Sequence, residues 1–225
     1  MEIMPMQPPP AASKPTPAAA IGLCLALLFG LVPFATWIAP GKSTPGLLAH
    51  EAVWWALALI LLLWLHYVER LPFLSIGLRK PTGKTILYGV LAGIVLIAIM
   101  IVHFAVIIPM FHLDATHALA EKQAIMGHPL WYRLLMVLRA AVVEEILFRG
   151  YMIEKVRQLT GSTALAVVVS AAVFTYAHLS GWGAVHLIPV CAAAIVFALL
   201  YIWRRDLPCN MIGHFIVDGV GFLFA

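Results

Sequence analysis

Six ionisable side chains, Glu144, Glu145, Arg149, His178, His214 and Asp218, lie inside runs that are otherwise apolar. A carboxylate and an imidazole that converge on one water can take its proton and direct it onto a carbonyl carbon. A second imidazole, oriented by a partner, can donate to the oxyanion that develops. The same residue types suit a divalent metal, with zinc the natural occupant if Glu144, His178, His214 and Asp218 close on one point. Both routes end in hydrolysis. A nucleophilic route has less behind it, because Ser170 and Ser180 are isolated and Cys209 has no base nearby in sequence.

These residues stand out because of where they are. An acidic residue or an arginine at the centre of a bilayer-spanning helix costs about 3 kcal/mol on insertion scales. The stretch 139–150, R-A-A-V-V-E-E-I-L-F-R-G, carries Glu144, Glu145 and Arg149 within such a run. Glu145 and Arg149 are four apart and share a helix face, so an internal ion pair compensates for both and makes them structural support. Glu144 lies about 100° round the helix, and that pair does not account for it. An intramembrane carboxylate without a partner is a functional candidate by default. His214 and Asp218 are again four apart and face one way. At 1.5 Å per residue, Glu144, His178, His214 and Asp218 lie about 16, 23, 12 and 18 Å from the cytoplasmic ends of their segments. Ordinary tilts bring those depths into one layer. Interhelical packing through hydrogen bonds is the bland alternative, but Ser and Thr provide it at far lower cost.

Composition sets the elements that must hold these residues. Of 225 residues, 63% are hydrophobic and only 11% charged, which takes the chain out of the range of soluble domains. The fold class expected is all-α, a polytopic transmembrane bundle of about seven helices. Its apolar segments run over 19–38, 50–68, 84–108, 131–153, 163–179, 184–203 and 207–225, the last short enough to be partly re-entrant. Residues 1–17 form a Pro-rich disordered tail, and 18–225 a single transmembrane domain. The scattered basic residues argue against nucleic acid. Cys24, Cys191 and Cys209 read as buried small hydrophobes.

Loop charge sets orientation. With the N-terminus cytoplasmic, Lys14, Arg70, Arg79, Lys80, Lys84, Lys155, Arg157, Arg204 and Arg205 fall inside, and Lys42, Lys122 and Arg133 outside. The stretch 110–130, with His112, His117 and His128, is expected as a solvated loop or interfacial helix. His103 and His186 are read as structural, Glu69 as snorkelling at a helix end, and Arg139 as paired elsewhere in the bundle. Trp54, Trp55, Trp131, Trp182 and Trp203 suit an interfacial belt.

Three motifs in order carry a resemblance: E-E-x-x-x-R at 144–149, F-x-x-x-H at 174–178 and H-x-x-x-D at 214–218. Over about 85–225 the chain resembles the CPBP family of CAAX prenyl proteases and bacteriocin-processing enzymes, also called the Abi family of intramembrane glutamate or metallo-endopeptidases. The resemblance implies Glu144 and His178 as the water-activating pair, His214 as oxyanion donor, and Glu145 with Arg149 as support. Asp218 departs from the Asn of eukaryotic CAAX proteases. An ionised carboxylate cannot donate, so Asp218 must orient His214, be protonated, or ligate metal. The expected function is cleavage of a peptide bond in a membrane-associated protein or peptide, with no cofactor favoured and zinc the one to test. The expected location is the bacterial inner (plasma) membrane. Two rivals remain: a non-catalytic immunity or scaffold protein of the same fold, and a cation-coupled transporter, which would show a repeat that this chain lacks.

Overall fold

A backbone in hydrocarbon must satisfy its polar groups within its own segment, so long apolar runs fold as helices. The computed structural model describes residues 15–39 and 43–224, and all but the last residues of the expected tail lie outside that description. The described residues form nine helices and no strand. These are α1 (Pro17–Leu31), α2 (Phe34–Ile38), α3 (Thr44–Val68), α4 (Gly83–Phe111), α5 (Thr116–Met126), α6 (130–160), α7 (Thr163–Ala177), α8 (Leu179–Arg204) and α9 (Leu207–Phe222).

Two local features turn seven apolar segments into nine helices. Pro33 biases the residue before it away from the helical region, so the first segment breaks into α1 and α2 at Val32. The 110–130 stretch contains the short helix α5. By length and composition α3, α4 and α8 can each cross a bilayer, while α1 and α7 are shorter apolar helices.

The central element is α6. Every residue from 143 to 153 is buried, and α1, α3, α7, α8 and α9 pack around it. Its charged residues are thus held by protein rather than exposed to lipid, which is the condition for their insertion. The helix that carries His214 and Asp218, α9, lies tightly on α4. A Cβ on Gly89 would meet the Cys209 carbonyl oxygen at 2.8 Å, and one on Gly213 the Gly89 carbonyl oxygen at 3.0 Å. Small residues allow that approach, in the manner of G-x-x-x-G pairs between membrane helices.

The basic loops gather at one end of the bundle. Lys155 pairs there with Glu69, which also accepts from Tyr151, so Glu69 is a buried partner rather than a snorkelling one. Arg205 donates to the Ser75 carbonyl and pairs with Glu154 at 2.9 Å. At the opposite end the His117 ring hydrogen-bonds the Gly181 carbonyl, and Arg133 donates to the Phe222 carbonyl. Of the three thiols only Cys209 is buried; Cys24 faces outward.

Candidate active site

The site begins with a distortion of α6. Ala140–Met152 winds in wide i→i+5 turns, a conformation found mostly in short pieces at functional sites. In that geometry residues five apart approach one another, and Arg139 Nη1 donates to Glu144 Oε1 at 2.8 Å. Glu144 is therefore paired, contrary to the expectation from regular α-helical spacing. The same guanidinium donates through Nε to Glu51 Oε2 of α3 at 3.0 Å, and Tyr132 OH donates to the other Glu51 oxygen at 3.3 Å.

The adjacent carboxylates part company. Glu144 turns into a cavity of about 990 Å³, which His178, His214 and Asp218 also line. Its second oxygen, Oε2, has no hydrogen-bond partner among the described residues and lies 3.9 Å from His178 Nε2. Glu145 turns into the bundle, fully buried. Its Oε1 accepts from Arg149 at 3.0 Å and from His214 Nδ1 at 2.8 Å, and its Oε2 from Asn210 at 3.2 Å. Arg149 is fully buried as well, its guanidinium 4.1 Å above the centre of the Phe174 ring. Partial positive charge over an aromatic face supplements the ion pair where water is absent.

Each imidazole is oriented by a second contact. His178 lies at the end of α7, where its Nδ1 sits 2.8 Å from the Phe174 carbonyl. A carbonyl only accepts, so Nδ1 carries a proton and Nε2 faces Glu144. The chain then breaks at Gly183, whose φ of 74° interrupts α8 and turns the helix past the cavity. His214 stacks on Phe197, gives Nδ1–H to Glu145, and faces Asp218 Oδ2 with Nε2 at 3.4 Å.

The four side chains thus form two pairs, Glu144 with His178 and His214 with Asp218. Among the described residues no three of His, Cys, Asp and Glu are grouped as metal ligands. In this arrangement Glu144 is tied to Arg139 at 2.8 Å, and His214 lies between the carboxylates of Glu145 and Asp218.

Several participants escaped the sequence. Asn210 sits at i−4 from His214, so Asn210, His214 and Asp218 share one face of α9, a spacing visible in the sequence. Glu51 is an acidic residue in an apolar segment, which was its only signal. His186 lines the cavity and stacks on Trp182, and Trp54 lies under Arg139 at 5.4 Å. Trp182 also lines the cavity. The two nitrogens of His103 have no hydrogen-bond partner among the described residues, contrary to the satisfied core histidine expected.

The described residues thus form an all-helical apolar bundle with carboxylates and imidazoles lining one cavity. Residues 126–220 match the family model of type II CAAX prenyl endopeptidases, Rce1-like. Over that span the chain is similar to the type II CAAX prenyl endopeptidases. The matched span holds all seven motif residues and excludes Glu51. No curated protein and no solved structure matches the chain.

Proposed function

We propose that the protein is an endopeptidase that hydrolyses a peptide bond in a membrane-associated protein or peptide, using a water activated by Glu144 and His178. The observation that carries this reading is the pair of unshared acceptors, Glu144 Oε2 and His178 Nε2, 3.9 Å apart in the cavity wall. That separation is too long for a direct hydrogen bond and suits a bridging water. A water about 2.8 Å from both would give one hydrogen to each, with its lone pairs turned toward the chamber. Attack of that oxygen on the substrate carbonyl carbon transfers a proton to Glu144. The tetrahedral intermediate collapses as the C–N bond breaks, and the same proton passes to the departing amine. His214 is the candidate donor to the oxyanion through Nε2–H, with Glu145 holding Nδ1 and Asp218 steering the ring.

Cleavage of a synthetic membrane peptide by purified protein, with and without a chelator, tests this reading. Activity is expected to survive chelation, and Asp218→Asn is expected to stay within an order of magnitude of wild type, because Asn keeps an oxygen toward His214. Stoichiometric zinc, lost together with activity on chelation and regained on its return, would overturn the metal-free route.

The basic end of the bundle supports a cytoplasmic placement for the N-terminus and the 71–83 loop in a bacterial inner (plasma) membrane, with α5 outside. Single cysteines at Ser75 and Thr116 are expected to label from opposite faces, Thr116 from the outside. Labelling of Thr116 only from the cytoplasm would reverse the orientation.

A further inference from the structure

We infer that Glu51 and Arg139 form a positioning device that selects which oxygen of Glu144 meets the water, an inference that rests on the catalytic reading of Glu144. Glu51 belongs to α3, outside the family match, and Arg139 precedes the E-E-x-x-x-R motif. The guanidinium is planar, so fixing one of its N–H groups fixes the directions of the others. Here Nε is fixed on Glu51 Oε2 at 3.0 Å, and that contact aims Nη1 at Glu144 Oε1, 2.8 Å away. Glu51 is itself held, only 2% exposed, with Tyr132 OH on its other oxygen. The Trp54 ring closes one side of the guanidinium. With Oε1 committed, the carboxylate cannot rotate freely, and Oε2 stays directed at His178. A carboxylate bonded only to solvent would present either oxygen at any angle, and catalysis is sensitive to misplacement of that order.

The chain from Tyr132 through Glu51 and Arg139 to Glu144 therefore ties a helix that supplies none of the motif residues to the proposed base. It also explains a buried carboxylate in α3 whose cost the fold does not otherwise require. Arg139 and Glu51 are positioning residues in this account, since they act through Glu144.

The test uses the full-length protein in detergent, with kcat, KM and Tm measured for Glu51→Gln, Arg139→Lys, Arg139→Ala and Glu144→Gln. Arg139→Lys replaces the two-armed donor with a point charge and is expected to lower kcat by about 10²-fold with KM unchanged. Glu51→Gln, nearly isosteric, is expected to lower kcat by about tenfold with Tm preserved. Guanidinium ions are expected to restore part of the kcat of Arg139→Ala, whose side chain opens onto the cavity, and none of that of Glu144→Gln. Raised KM at full kcat would make Arg139 a substrate contact and overturn the inference. So would loss of activity that tracks Tm without guanidinium recovery. Wild-type kcat in Glu51→Gln and Arg139→Lys with Glu144→Gln inactive overturns this inference alone, whereas an active Glu144→Gln removes the reading beneath it.

Discussion

Replacing His178 with Ala is expected to lower kcat for peptide cleavage by about 10²–10⁴-fold, the usual contribution of a positioned acid–base group. The ring faces the unshared oxygen of Glu144 at 3.9 Å, and among the described residues no other imidazole is paired with Glu144. His186 lines the same cavity but stacks on Trp182, and is not paired with Glu144. The fold is expected to tolerate the change. Among the described residues the His178 side chain makes one hydrogen bond, to the Phe174 carbonyl at a helix end, and its backbone bonds to Thr175 and Trp182 do not depend on the ring. Unaltered thermal unfolding with kcat at background is therefore the predicted pattern, measured on purified protein in one detergent. Full activity in His178→Ala would remove the imidazole from the mechanism.

Arg149→Ala is expected to act on stability first. Both partners of the Glu145–Arg149 pair are fully buried, and removing one leaves an uncompensated charge at a cost of about 3–5 kcal/mol. The lower part of that range is expected here, because Glu145 keeps hydrogen bonds from His214 and Asn210. Loss of the guanidinium from the Phe174 and Phe197 faces adds an unfilled volume beside two aromatic rings. Activity is expected to fall as a consequence, since Glu145 also orients His214. Thermal unfolding in detergent reads this directly. Normal Tm with abolished cleavage would put Arg149 in contact with substrate, a role its burial away from the cavity argues against.

Much of this arrangement was legible in the sequence because it is local. The pair His214–Asp218 follows from i,i+4 spacing on an α-helix, and Glu145–Arg149, at the same spacing, is kept within the wide turns of α6. The helical class followed from hydropathy, and the additional helices α2 and α5 arise from one proline and from a polar outer stretch. The Arg139–Glu144 pair was not legible, because it depends on wide turns in α6 that no periodicity reveals. Glu51 was hidden for another reason. Its partners Tyr132 and Arg139 are more than eighty positions away in sequence, and only tertiary packing selects them. Glu69 was misjudged on the same grounds, since its partner Lys155 comes from another helix. Asn210, by contrast, was within reach, as the third residue of a face already marked by His214 and Asp218.

In the proposed mechanism two neighbouring carboxylates divide by role, Glu144 facing the cavity as base and Glu145 facing the bundle as support. The measurement that bears most directly on it is cleavage of a defined membrane peptide by purified Glu144→Gln protein, followed by mass spectrometry beside wild type. Gln preserves shape and can still pair with Arg139 through its carbonyl oxygen, but it cannot take a proton from water. The predicted result is cleavage by wild type, product at background for Glu144→Gln, and matching thermal unfolding for the two proteins. Wild-type turnover by Glu144→Gln would contradict the assignment of Glu144 as the base.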